Sequence, residues 1–401
     1  MTRRQFLHLL GTLPVLWLAP PFLKEPWAKP AAQMLTERGN WNRVLILVEL
    51  HGGNDGLNTL IPYTDKRYYD LRPQLAIPRD RVLQLTPKLG LHPALQPLMP
   101  LWDAKELGLI RGVGYAKPNR SHFRSIEIWE TGSESRQVLD EGWLTRVFQH
   151  HPVPKTFTAD AILLGKGDAG PLSGGTTRTI ALQDPKQFLK RSQRVRPLAV
   201  NTTNAALAHI LDVQRDISRA GNALQARLQG VPSLHGTFPT TRIGRQLGTA
   251  AQLLTARVPV AVIKVTHGSF DTHARQANQH HRLLQELAEA LAIFRTTMQQ
   301  QGLWEQVVIM TYSEFGRRVA ENGSHGTDHG TAAPHLLLGG RVKGGMFGAQ
   351  PSLTNLTNLQ NGDLRHTVDY RSLYTTIIQN WWGLSSRDFD SRAFPPIDCL
   401  A

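Results

Sequence analysis

Apolar and polar positions divide this chain into short unbroken apolar runs and longer stretches of helical spacing. The first run, Val44 to Val48, sits inside Asn42–Leu50 (NRVLILVEL). A continuous run of that length predicts a strand buried on both faces, as parallel sheets require. Runs at Leu107–Val113 (LGLIRGV), Ala161–Leu164, Thr179–Leu182, Val258–Val265 (VPVAVIKV), Val307–Met310 and Leu336–Leu338 predict further strands. Helical spacing is plainest from Arg275 to Gln301, where Leu283, Leu284, Leu287, Leu291, Phe294 and Met298 keep one apolar stripe turned to a sheet. Pro93–Lys105, Asn204–Gln229, Thr241–Arg257 and Val368–Trp382 also read as helices, and another opens in Pro118–Ser125 and stops near Thr131-Gly132.

Strand, helix and strand between Val258 and Met310 make a βαβ unit. Its crossover is right-handed, so the loops after both strands share one sheet edge. The expected fold is α/β, a parallel-rich central sheet sandwiched by helices, within one domain over residues 33–401. From Glu141 to Arg257 reactive side chains thin out and Gly230–Pro239 reads as a linker. Residues 141–257 are therefore expected to be a cap or insertion over the sheet.

Charge adds a preference for partners. The 401 residues carry a formal net charge of +14, and losing Arg3 and Arg4 with a leader still leaves +12. Anionic small molecules, anionic glycans or a membrane surface suit that balance. Nucleic acid is not expected, because zinc-finger spacing, a basic helix with heptads and a basic-aromatic repeat are all missing from the sequence. The densest basic run, Lys186–Arg196, reads as an exposed helix face. Cys399 is the single cysteine, so no intramolecular disulfide forms. Residues 1–20 (MTRRQFLHLLGTLPVLWLAP) start basic and continue into an apolar segment, Phe6–Leu18, that is short for a membrane span. Thr2–Leu7 resembles the twin-arginine export signal. Residues 1–32 are thus expected to be a signal peptide and linker, with the twin-arginine export machinery as a partner and a periplasmic or extracellular destination.

Candidate chemistry gathers where predicted strands end. Asp55 follows the first strand in His51-Gly-Gly-Asn-Asp-Gly; Asp271 and His273 follow the strand ending at Val265; Glu314, then Asp328 and His329, follow the run at Val307. Ser121 and His122 come from a further segment, at a helix N-terminus where an anion is favoured. Carboxylates mixed with imidazole suit zinc, manganese or magnesium, and there are enough for one or two ions. Such ions serve in-line displacement at phosphate or sulfate esters. Arg120, Arg124 and Arg317 are candidates to neutralise the ester's outer oxygens. Glu314 with Arg317 or Arg318 is equally an ordinary ion-pair spacing.

Through HGGNDGLNTLIPY, PNRSHFRSIEIWETG, GSFDTHARQ, TYSEFGRR and GTDHGTAAPHLLLGG, the chain resembles the bacterial family called domain of unknown function 1501. More remotely its motif order is similar to the alkaline phosphatase and sulfatase superfamily. That resemblance implies an alkaline phosphatase-like core, with Asp55 at the first-strand aspartate and Ser121–Gly132 as the nucleophile helix. It also implies Asp271, His273, Glu314 and His329 as metal ligands. Two departures stand out: Phe315 follows Glu314 where a histidine is usual, and Asp271 and His273 are closer together than the phosphatase spacing. The nucleophile stays open between Ser121 and His122. The implied function is a metal-dependent hydrolase of phosphate or sulfate esters. The alternative is a non-catalytic envelope protein on the same fold, binding an anionic glycan or another exported protein.

Overall fold

The computed structural model describes residues 39–165, 167–175, 177–195, 202–234, 236–357, 362–387, 389–390, 392 and 394–401. The expected export segment lies outside them. Nine strands form the main sheet: β1 (Val44–His51), β2 (Leu107–Gly114), β3 (Ala161–Leu164), β4 (Thr179–Leu182), β5 (Val262–Gly268), β6 (Val307–Tyr312), β7 (Ala333–Gly339), β8 (Gly345–Phe347) and β9 (Val368–Asp369). Their order is β8-β2-β7-β6-β1-β5-β3-β4, with β9 also paired to β2. β7 alone of these runs against its neighbours β2 and β6; every other pairing is parallel.

β1 is the middle strand, and its alternation assigns the layers. Val44, Ile46, Val48 and Leu50 point into one core, Leu45 and Leu47 into the other. The helices are α1 (Lys66–Leu71), α2 (Met99–Asp103), α3 (His122–Thr131), α4 (Trp143–His150), α5 (Pro185–Ser192), α6 (Ala205–Leu228), α7 (Arg242–Thr255), α8 (Gln276–Gln300) and α9 (Tyr370–Thr376). The apolar stripe of α8, Leu283 to Met298, joins Ile243 and Leu247 of α7 in the first core. Ile128 and Trp129 of α3, Trp143 of α4 and Tyr374 of α9 fill the second. Helices therefore cover both faces, as an α/β sheet buried on both sides demands.

Three expectations change in detail. The βαβ unit from β5 through α8 to β6 is present, but β1 lies between its two strands, so the crossover spans a strand. The helix expected over Pro93–Lys105 begins as a 3-10 turn at Pro93–Leu98 and becomes α-helical at Met99; Pro97, lacking an N–H, interrupts the ladder. The stretch 141–257 is partly woven into the sheet, because its apolar runs β3 and β4 extend the parallel edge beyond β5. None of the described helices is long and apolar enough to cross a membrane.

Candidate metal centre

Because β1, β2, β5 and β6 run the same way, the segments after His51, Gly114, Gly268 and Tyr312 open on one sheet edge. Backbone contact there is close. A Cβ at Gly52 (φ +113) would stand 2.4 Å from the Asp271 amide nitrogen, so only glycine fits the turn after β1. Arg317 ties the loops together from within. Its guanidinium is buried and donates to the carbonyls of Gly53 (2.7 Å), Thr327 (2.7 Å), Phe270 (2.9 Å) and Gly52, and to Asp271 Oδ1 (2.7 Å). Sequence reasoning expected Arg317 to meet substrate; the fold uses up its donors on three loops.

Three imidazoles converge on Asp271. Each is held from behind through Nδ1. His122 Nδ1 donates to Glu314 Oε1 at 2.8 Å, His273 Nδ1 to Asp328 Oδ1 at 3.2 Å, and His329 Nδ1 to the Arg120 carbonyl at 2.8 Å. With Nδ1 as the donor, the neutral ring carries its lone pair on Nε2. Those Nε2 atoms face inward: His273 and His329 stand 3.1 and 3.2 Å from Asp271 Oδ1, and His122 stands 3.4 Å from Oδ2. His122 Nε2 is buried and has no hydrogen-bond partner among the described residues. Ligand atoms of His122, Asp271 and His329 all lie within 4.8 Å of one another. Neighbouring ligand atoms about 3.3 Å apart are what tetrahedral coordination at roughly 2.0 Å produces.

Electrostatics favours a cation here. Burial works to raise the Asp271 carboxyl, but the hydrogen bond and charge of Arg317, together with the histidines beside it, bring it down to about 2, so it is ionised at neutral pH. Burial holds His329 below the ordinary histidine value, which opposes filling the gap with a second proton. The Glu314 hydrogen bond raises His122. Asp271 with the tautomer-fixed imidazoles of His122 and His329, and His273 beside them against Asp271 Oδ1, offers donors suited to zinc or another first-row divalent ion.

Residues 102–393 match the family described as "Protein of unknown function (DUF1501)". The chain belongs to that family. No curated protein matches it. Among solved structures, this DUF1501 protein is similar to the C-terminal periplasmic domain of EcEptC from Escherichia coli in complex with Zn, at 11% identity and TM-score 0.42, over 90% of this chain and 88% of that one. It is similar to a protein in the alkaline phosphatase superfamily from Vibrio parahaemolyticus at 9% identity and TM-score 0.39, over 84% and 66%. The PsFucS1 sulfatase from Pseudoalteromonas sp. gives 12% identity and TM-score 0.35, over 90% and 72%.

The remaining expected site residues of this DUF1501 protein sit outside the cluster. Asp55, expected as a metal ligand, is fully buried. Its Oδ2 accepts from Arg72 at 2.6 Å and from Gln276, and its Oδ1 from the amides of Leu57 and Asn58 at 3.2 and 3.4 Å. With both oxygens occupied, Asp55 anchors a turn and leaves nothing for an ion. Glu314 and Asp328, also expected as ligands, instead steady His122 and His273; Glu314 Oε1 further accepts from the Gly52 amide (2.9 Å) and Asp328 from Asn322 (3.1 Å). Arg120 pairs with Asp363 at 3.3 Å. Arg124 binds Glu127 at 2.8 Å and closes the turn after α3 by donating to Ser135 and Gln137 carbonyls. Ser121 is exposed at the N-cap of α3, with no capping bond from its hydroxyl.

A second polar group adjoins this edge and went unread in the sequence. Lys264 of β5 is buried, with Nζ 3.1 Å from Glu49, 3.3 Å from Glu130 and 3.3 Å from Asp168. Glu49 also accepts from His51 Nδ1 at 3.2 Å. The signal was there: a lysine inside an apolar strand demands a partner.

Proposed function

We propose that the protein binds a divalent metal ion through His122, Asp271, His273 and His329, and that it hydrolyses phosphate or sulfate esters at that centre. The observation that carries this reading is the set of three imidazoles, each held by Nδ1 with Nε2 turned to one carboxylate. A divalent ion bound there supplies Lewis acidity towards an ester oxygen. Glu314, Asp328 and the Arg120 carbonyl fix the rings, so little reorientation is needed when the ion or substrate arrives. Ser121 is the proposed nucleophile: it is exposed, adjoins His122 and has an uncommitted hydroxyl. His122 is assigned to the metal. Arg120, Arg124 and Arg317 act by holding loops.

Export to the periplasm or beyond through the twin-arginine route belongs to the same reading and rests on Thr2–Leu7. The net charge supports an anionic substrate, a small ester or a glycan, and attraction to an anionic membrane surface. A second reading, a non-catalytic envelope protein that binds an anionic glycan or another exported protein, draws on the commitment of all three arginines to protein partners. Elemental analysis of gently purified protein decides the metal first. The proposal expects close to one ion per chain, lost in Asp271→Asn; a folded, metal-free wild type sinks it. A panel of phosphate and sulfate esters, with Ser121→Ala beside wild type, then separates the two readings: turnover that Ser121→Ala abolishes favours the enzyme.

A further inference from the structure

Further along the same sheet edge, where β3 and β4 end, lies a cavity of about 420 Å3 lined by Leu164, Gly165, Leu182, Gln183, Asp184 and the first two turns of α7. Its size falls within the range of small-molecule sites, roughly 300–1,000 Å3. From α7 come Arg242, Arg245, Gln246 and Thr249, spaced 0, 3, 4 and 7 and so sharing one helix face. Both arginines are exposed, and neither forms an ion pair among the described residues. Arg245 donates to the Thr240 carbonyl; the Arg242 side chain makes no hydrogen bond there.

The floor is built rather than incidental. Gln246 is buried, donating from Nε2 to the Thr266 carbonyl and accepting the Thr266 amide, both at 2.9 Å. It thereby pins α7 to β5. Gly165 (φ +92) turns over that amide, and a Cβ there would meet Gln246 at 3.1 Å. β3 lies beside β5, and β5 beside β1, so the cavity stands about two strand spacings, roughly 10 Å, along the edge from β1. β5 leads directly into the loop carrying Asp271 and His273.

We propose that this cavity is a binding site for an anionic sugar, with Arg242 and Arg245 taking the charged group and Gln183, Asp184 and Thr249 meeting hydroxyls. As a subsite for a substrate whose ester lies at the metal centre, it rests on the reading above; as a binding site it stands on its own lining. Two guanidiniums against one carboxylate favour an anion, and the exposed Gln183 amide with the Thr249 hydroxyl, which donates to the Arg245 carbonyl and can still accept, suit a polyol better than a lipid tail.

The test measures binding of a fluorescently labelled sulfated tetrasaccharide and its desulfated counterpart at 150 mM salt. Wild type, R242Q/R245Q, His329→Ala and the charge-matched surface control R67Q/K88Q are compared, with bound metal determined in each. Wild type is expected to prefer the sulfated sugar, and R242Q/R245Q to bind it at least tenfold more weakly at unchanged metal content. The R67Q/K88Q control is expected to bind as wild type does, and His329→Ala, whose metal site is broken, to keep the arginine-dependent preference for the sulfated sugar. Equal binding by R242Q/R245Q, an equal loss in R67Q/K88Q, or a wild type without preference for the sulfated sugar overturns the proposal. Metal loss or absent ester turnover with arginine-dependent binding intact instead defeats the hydrolase reading alone.

Discussion

The Nε2 atoms of His273 and His329 lie 2.9 Å apart, both above the same oxygen of Asp271. Each ring donates its Nδ1 proton elsewhere, so in the neutral protein two lone pairs and a carboxylate face one another. Arg317 offsets the charge of that oxygen from its other contacts, at 2.7 Å, but the two lone pairs repel each other unless a cation or a proton stands between them. Asp328 and the Arg120 carbonyl hold the two rings there from opposite sides, and His122 completes the group from α3.

Metal removal should therefore destabilise the fold. Dialysis against a chelator is expected to lower the melting temperature, and zinc or manganese to restore it. The stabilisation should be on the order of 4 kcal/mol when free ion exceeds Kd a thousandfold. His273→Ala should abolish the response. Identical melting curves for chelated and metal-loaded wild type would show that the cluster holds no ion.

Glu314→Gln keeps the shape of the side chain while weakening its grip on His122. A loss of about 10–100-fold in metal affinity is expected, as for other groups that orient a metal-binding histidine. Asp328→Asn should act in the same direction and more weakly, because that pair is half exposed. Competition titration with a chromophoric chelator measures both. An undiminished affinity in Glu314→Gln would mean that His122 is not a ligand.

How much of this was readable depended on the range of the interaction. Buried strands announced themselves as apolar runs, and β3 and β4 fall on the predicted residues because period and burial are local. The strand-end placement of Asp271, His273, Asp328 and His329 followed from the βαβ argument. Asp55 misled, since a strand-end aspartate looks the same whether it meets an ion or Arg72, and Arg72 lies 17 residues on with no periodic relation to it. The direction of β7 was likewise closed, because an apolar run carries no sign of its polarity. Glu314 and Asp328 were picked out, but whether a strand-end carboxylate faces the centre of the cluster or backs an imidazole, as these two do, is set only in the third dimension.

The Asp55–Arg72 pair supports the loop without touching the cluster. Both side chains are fully buried and 2.6 Å apart, and Arg72 also donates to the Val319 and Arg318 carbonyls, at 2.7 Å each. Asp55→Ala leaves a buried guanidinium without its counter-charge and should cost about 3–5 kcal/mol. Urea unfolding measures this, while metal per folded chain should be unchanged. A variant of native stability that has lost its metal would return Asp55 to the ligand set.

Lys264 shares one ammonium between two buried glutamates, and they divide it unequally. Burial works against both charges. Hydrogen bonding by His51 and the charge of Lys264 nevertheless bring Glu49 down to about 2, whereas burial prevails over Lys264 at Glu130 and pushes it up to about 8. The proton thus rests on Glu130. Unfolded, Glu130 releases it near the ordinary value of 4.5; folded, it keeps it to about 8. The folded protein binds more protons across that window, so the Glu130 contribution to stability is present below about 4.5 and is lost as pH rises to about 8. Glu49 acts oppositely, its contribution being lost as pH falls from 4.5 towards 2. Histidines titrate in the same range, so the difference between wild type and Glu130→Gln is the quantity to follow. The variant, locked neutral, should gain on wild type by a few kcal/mol between pH 5 and pH 8.5 in urea unfolding, and parallel profiles would place the proton elsewhere.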